Sequence, residues 1–371
     1  MRDHGRIDSV LLGAVILICL FGLIMVYTSS VIWAVRDGHS ETFFLRSQTG
    51  KFLLGMALLF PLSRLPYRWL SGPVARWLTV AAFLAMTLAL TPWFSSSFNG
   101  TKRGVLGLQP AEFARISLVL FLAYFVSKTE STGDRRWRAL LIPLGVTLGF
   151  ALLAKLQPNL SSAVLMVALG VGVLFVSGQS FLRLGLALLP VVVAILAALK
   201  PYQLERIRGF LDHKGGTSNL QWQVEQSLIA LGSGGAMGRG IGQGLQKFCY
   251  LPYSFSDFIL GMVGEETGFV GVLILFTLFA VVLFRGLRIA RHCPDTFGQV
   301  LALGLTLNLA LNFILHSVVG MGLGPVTGVP LPFVSHGGSS LLANLLAIGL
   351  LLSISRSAEP RAEVREPAWS R

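Results

Sequence analysis

Ten stretches of the chain are apolar almost without interruption, at about 10–32, 48–64, 73–91, 110–127, 139–154, 160–178, 181–199, 258–284, 297–320 and 338–355. A helix needs about 20 such residues to cross a bilayer. The pattern therefore predicts an all-α polytopic membrane protein of about ten transmembrane helices, a single domain over 1–355. It leaves a large extracellular loop at 200–257 between spans 7 and 8, and a basic tail at 356–371. The first run is longer than a signal-peptide core and has no small-residue cleavage site after it, so it reads as an uncleaved anchor.

The polar positions between the runs set the orientation. With the N-terminus inside, 17 of the 30 Lys and Arg fall in inner segments, among them Arg64, Arg68, Arg76, Arg136, Arg285 and Arg288. The short outer loops hold 6, including Arg46, Lys51 and Lys155, and the stretch 200–257 another 6. This asymmetry places both termini of a multi-pass protein in the cytoplasm. The unusual polar segments, QPAEFAR (109–115), KLQPNLSS (155–162), the 200–257 loop and GPVTGVPLPFVSHGGSS (324–340), then all lie at outer ends of spans. Chemistry is expected on the external face.

Composition agrees. Of 371 residues, 53% are hydrophobic and only 13% charged, against about 25% charged in a soluble domain. Disorder, a collagen repeat and a disulfide scaffold are excluded, and an ordinary soluble enzyme nearly so. The net charge of +13 is scattered between apolar runs without a nucleic-acid motif, so basic inner loops explain it and no nucleic-acid partner is expected. Cys19, Cys249 and Cys293 are far apart and lack metal or redox spacing. No metal site of protein ligands is predicted.

Glu112 and Arg115 are three apart on one helical face, behind Pro110 at a first turn. They read as a cavity-lining pair, since charges one turn into a span are costly unless they face protein or water. The alternative is a glutamate complementing the helix N-terminus and an arginine reaching outward. Residues 221–235 have helical apolar spacing and read as an amphipathic segment on the membrane surface. The glycines at 238, 240, 242 and 244 form either a flexible connector or a backbone able to approach a phosphate, with Arg239 and Lys247 nearby.

Asp257 lies at the mouth of the eighth span between Phe255 and Phe258, where it reads as a helix-terminal carboxylate or as a general base. Glu265 and Glu266 follow about 12 Å into that span. Adjacent helical residues point about 100° apart, so both are not expected to face one partner. Three prolines and four glycines in 324–340 predict non-helical backbone lining a cavity. His336 within it is read as a proton carrier or as hydrogen-bonded structure.

These segments, in this order, resemble the SEDS family (shape, elongation, division and sporulation), over about Ile7 to Ser355, on QPAEFAR, LQPNLSSAVL, QVEQSLIALGSGG, GRGIGQGLQKFCYLP, DFILGMVGEETGFVG and PVTGVPLPFVSHGGSSLL. QKFCYLP is similar to the FtsW and SpoVE branch rather than RodA. The resemblance implies a ten-span peptidoglycan glycosyltransferase that polymerises lipid II, an undecaprenyl-pyrophosphate-linked substrate, at the outer face. It implies service in division or cell-shape wall synthesis beside a class B penicillin-binding transpeptidase and other divisome or elongasome proteins.

The family's essential aspartate corresponds to Asp257, and its pair on the fourth span to Glu112 and Arg115, where lysine is usual. The chain departs from the family in ProTyrSerPheSerAsp before and including Asp257, with Ser256 for threonine. It departs also in Asn159 after Gln157-Pro158, and in Ser335-His336-Gly337-Gly338. Asp257 is the implied catalytic residue. Glu112, Arg115, Lys155, Gln157, Arg239, Lys247, Ser256, Glu265, Glu266, Ser335, His336 and Ser339 are implied to bind substrate or line the cavity. Charge on the pyrophosphate falls to Arg115, Arg239, Lys247 or a bound divalent cation, Mg or Mn. A lipid II flippase and a non-catalytic scaffold for the transpeptidase are the competing readings.

Overall fold

A computed structural model describes residues 7–91, 95–98, 101–105, 107–132, 137–180, 182–189, 219–248 and 255–357. The helices are α1 (Ser9–Arg36), α2 (Phe43–Arg64), α3 (Pro73–Leu88), α4 (Pro110–Thr132), α5 (Trp137–Leu156) and α6 (Leu160–Val176). They continue with α7 (182–189), α8 (Asn219–Ser233), α9 (Ile259–His292), α10 (Thr296–Gly320) and α11 (Gly338–Ser355). Among the described residues, α1, α4, α5, α9, α10 and α11 are long and apolar enough to cross a membrane, while α3 and α6 are shorter apolar helices. Most of the run expected at 181–199, the loop residues 200–218, Arg136, Cys249 and the tail from 358 lie outside the described residues.

Among the described residues one strand pair interrupts the helical pattern. Strands β1 (Ser95–Phe98) and β2 (Thr101–Val105) form an antiparallel hairpin between α3 and α4. The run at 139–154, short for a span, is part of a full 20-residue helix because Trp137, Arg138, Lys155 and Leu156 extend it. The run at 258–284 grows to 34 residues and is broken at Gly268, whose φ of 67° and ψ of −169° interrupt the helix.

Helices α4, α10 and α11 form the interior. From Ser339 to Ile354, α11 is buried at all but Leu346, and it packs chiefly against α2. Helix α10 contacts α4, α6 and α9. Gly22 of α1 lets the chain before α11 approach backbone to helix, since a β-carbon there would stand 2.6 Å from the Phe333 carbonyl oxygen. Phe333 itself has φ +64°, a left-handed conformation that costs a non-glycine residue about 1–2 kcal/mol.

At the end opposite those segments, Asp295 caps α10 by accepting from the Gly298 N–H at 3.0 Å, and also holds Tyr67 and Arg68. Burial and the bond to Asp295 push the Tyr67 phenol well above its usual pKa. Ser353 donates to the Leu65 carbonyl at 2.5 Å, and Arg285 pairs with Asp8 at 2.7 Å. These contacts tie the α2–α3 corner, the start of α1 and the α9–α10 corner into one rim.

Candidate active site

The polar segments that the sequence assigns to outer ends meet around the strap between α10 and α11. Ser335 is the junction. Its hydroxyl donates to the Ser256 carbonyl at 2.7 Å and accepts from the Leu331 N–H at 2.9 Å. Its own carbonyl accepts from Gln48 Nε2 of α2 at 3.1 Å. The next N–H, of His336, donates to the Phe255 carbonyl at 2.9 Å. One turn later Ser339 Oγ accepts the Gln109 N–H at 2.8 Å, joining the start of α4. From α6, Ser161 Oγ donates to the Thr327 carbonyl at 2.7 Å.

Asp257 sits in this junction, half-buried, in a turn just before α9. Ser256 Oγ donates to its Oδ1 at 2.8 Å, and a β-carbon at Gly328 would lie 3.5 Å from its Oδ2. One carboxylate oxygen is thus oriented by a hydroxyl while the strap backbone crosses the other. Phe255 and Phe258, its apolar neighbours, are both buried.

Glu112 and Arg115 form a buried ion pair, 5% and 2% exposed. Arg115 spans two helices. One terminal nitrogen meets the Glu112 carboxylate, and the other donates to Asn312 Oδ1 of α10 at 2.7 Å. Asn312 in turn donates to the Asn308 carbonyl at 2.7 Å. The outward-reaching arginine of the alternative reading does not occur, because the guanidinium finds its partners inside the bundle.

Glu265 and Glu266 turn to the same loop, unlike the expectation from their 100° separation. Glu265 accepts the Leu245 and Gln246 N–H groups at 2.7 and 3.1 Å, and Glu266 accepts the Gly242 N–H at 2.9 Å. Lys247 binds the Gly242 carbonyl and stands 3.9 Å from Glu266. The loop wraps across α9, docking near the Gly268 kink through Phe269 N–H to Gly235 and Val270 N–H to Ala236. The glycine-rich stretch is therefore anchored rather than a loose connector. Arg239 is exposed. Helix α8 buries Ser227 and Ala230, and Ser227 donates to the Gly320 carbonyl at 2.9 Å, so the amphipathic segment docks on the bundle while Ile229 stays exposed.

The remaining residues divide. Gln157 is buried and donates to the Met86 carbonyl at 2.6 Å, Asn159 caps α6 by accepting from the Ser162 N–H, and Lys155 is half-buried. The His336 ring meets Phe44 and Phe255 edge to face at 5.2 and 5.7 Å. Burial, with the Lys51 ammonium beside it, holds its pKa down at about 4, so the ring is neutral near pH 7 and serves as aromatic packing.

Sequence reasoning missed Lys51 and Gln48. Lys51 lies over Gly338 at the start of α11, which has neither an acidic first turn nor a side-chain cap. Gln48 and Lys51 are three apart at the outer end of α2, and that spacing was the available signal. Among the described residues no three His, Cys, Asp or Glu side chains gather as a metal site.

Over residues 8–360 the chain matches the family model of the cell cycle proteins FtsW, RodA and SpoVE. It is 36% identical over 357 residues to a probable peptidoglycan glycosyltransferase FtsW of Trichlorobacter lovleyi, covering 94% of this chain and 93% of that one. Identity to the stage V sporulation protein E of Bacillus subtilis is 35% over 356 residues, 94% and 97% of the two chains. A solved chain from a peptidoglycan synthase complex that coordinates polymerization and crosslinking superimposes with a TM-score of 0.78 at 29% identity, covering 95% and 98%.

Proposed function

The chain belongs to the family of FtsW, RodA and SpoVE, and from that membership we infer that it is a peptidoglycan glycosyltransferase of cell-wall synthesis. Its donor is lipid II, used at the outer face of the cytoplasmic membrane with both chain termini in the cytoplasm. Its partner is a class B penicillin-binding transpeptidase, a reading supported by the similar chain's place in a peptidoglycan synthase complex.

The observation that carries the mechanism is the setting of Asp257, oriented by Ser256 and crossed by the strap that also joins α2, α4 and α6. An acceptor sugar hydroxyl attacks the anomeric carbon of the donor. The bond from that carbon to the pyrophosphate oxygen breaks as the new glycosidic bond forms. Asp257 takes the hydroxyl proton, and the polyprenyl pyrophosphate leaves with its negative charge. Lys51 supplies positive charge on the leaving side, while the Arg115 guanidinium is already paired with Glu112 and Asn312.

The test is glycan product from purified lipid II by the wild type and Asp257→Asn at equal folded amounts. Asparagine keeps the size and removes the proton acceptor, so the rate is expected to fall about 10²–10⁴-fold, with folding and lipid II binding retained. Polymer made at similar rates by both proteins removes Asp257 as the base. A wild type that makes no polymer with its cognate transpeptidase present removes the enzyme reading.

A further inference from the structure

The strap over Asp257 is held from inside the bundle by a side chain that the mechanism above does not use. His316 of α10 is 1% exposed, and its Nδ1 lies 2.8 Å from the Val329 carbonyl oxygen. A carbonyl only accepts, so Nδ1 carries the proton and Nε2 presents a bare lone pair. Nε2 has no hydrogen-bond partner among the described residues. A side chain kept there only to fill space would be apolar, without a stranded ring nitrogen. The bond to Val329 is what the imidazole adds.

That bond acts next to the reacting carboxylate. Val329 follows Gly328, the residue that faces Asp257 Oδ2, and Thr327 on the other side is held by Ser161. Two helices, α10 through His316 and α6 through Ser161, therefore grip the carbonyls on either side of Gly328. Gly328 has φ +68°, a conformation that a glycine leaves easily unless its neighbours are held. Release of one grip lets the strap shift over Asp257 and changes the space left for the acceptor hydroxyl.

We propose that His316 is a positioning residue: by donating to Val329 it sets the strap, through Gly328, at the depth that aligns Asp257 with the acceptor hydroxyl. The proposal rests on the glycosyltransferase reading and on Asp257 as its base. It concerns geometry in the transition state rather than substrate affinity. Loss of the donor should accordingly lower kcat and leave KM nearly unchanged.

The decisive pair of variants is His316→Asn and His316→Leu. Asparagine places Nδ2 at the same remove from the backbone as the imidazole Nδ1, so it keeps the donor and drops the stranded Nε2. Leucine fills similar volume without a donor. In steady-state polymerisation of lipid II by the protein with its transpeptidase, His316→Leu is expected to lose about 10–100-fold in kcat, the scale of an ångström misplacement, with KM within about 3-fold. His316→Asn is expected to stay within about 3-fold of wild type in both constants. Ser161→Ala, which releases the other grip, should lower kcat in the same sense, and it serves if His316→Leu fails to fold.

Wild-type kcat in His316→Leu, or an equal loss in His316→Asn and His316→Leu, overturns the proposal. If His316→Leu is unfolded, wild-type kcat in Ser161→Ala overturns it. A wild type without polymer instead removes the glycosyltransferase reading, so the two failures are distinguishable.

Discussion

Replacing Arg115 with methionine removes a guanidinium that joins α4 to α10 and leaves two groups stranded in the interior. Glu112, 5% exposed, loses its cation, and the Asn312 Oδ1 loses a donor at 2.7 Å. Breaking a buried ion pair from one side costs about 3–5 kcal/mol, and an orphaned neutral acceptor about 1–3 kcal/mol more. Set against the 5–15 kcal/mol typical of a folded domain, the single variant should show a large loss of folded yield. Glu112→Gln should cost about 3–5 kcal/mol for the same reason from the other side.

The double variant removes both charges together and should cost less than the two singles added, with a coupling of about 2–3 kcal/mol. The assay is unfolding of the four proteins in mixed detergent micelles, followed by tryptophan fluorescence, with folded yield from size exclusion. A coupling within about 0.5 kcal/mol of zero would show that the two groups act independently, and the buried pair would then have no energetic meaning.

Four further outcomes are expected. Lys51→Met should raise the apparent KM for lipid II by about tenfold, the loss of one charge-assisted contact, and Lys51→Arg should restore it; an unchanged KM would take Lys51 out of substrate binding. Glu266→Ala should free the Gly242 N–H, remove the charge facing Lys247 and speed limited proteolysis within 234–247, whereas an unchanged cleavage rate would show that other bonds hold the loop. In a cysteine-free background, Met237→Cys should label with an impermeant thiol reagent on intact cells and Trp69→Cys only after permeabilisation, both sites being exposed; the reverse pattern inverts the orientation. His336 has its pKa lowered from 6.5 to about 4 in the folded protein, so stability is full above pH 6.5 and drops as pH falls from 6.5 towards 4; His336→Gln should flatten that part of the pH–stability curve, and an identical slope would refute the assignment.

Local sequence by itself determined the membrane class, the positions of most helices and the segments that carry the polar chemistry. Each of these depends on residues close together in the chain: about 20 apolar positions for a span, or a three-residue spacing that puts Glu112 and Arg115 on one face. Asp257 was legible for the same reason, as an acid at a helix mouth between two phenylalanines, together with its likeness to the family motif.

What only the tertiary structure decided is which groups face one another across helices. Ser335 binding Ser256, Arg115 reaching Asn312, and His316 gripping Val329 join residues separated by 79, 197 and 13 positions. No periodicity encodes such pairs. Glu265 and Glu266 show the limit most directly, since their helical angle is correct and yet both serve one loop, which wraps around α9 to meet them. Helical spacing fixes the direction in which a side chain leaves its own helix. The partner waiting there is set by how the rest of the chain packs, because a buried polar group must find its hydrogen bond wherever the fold brings one.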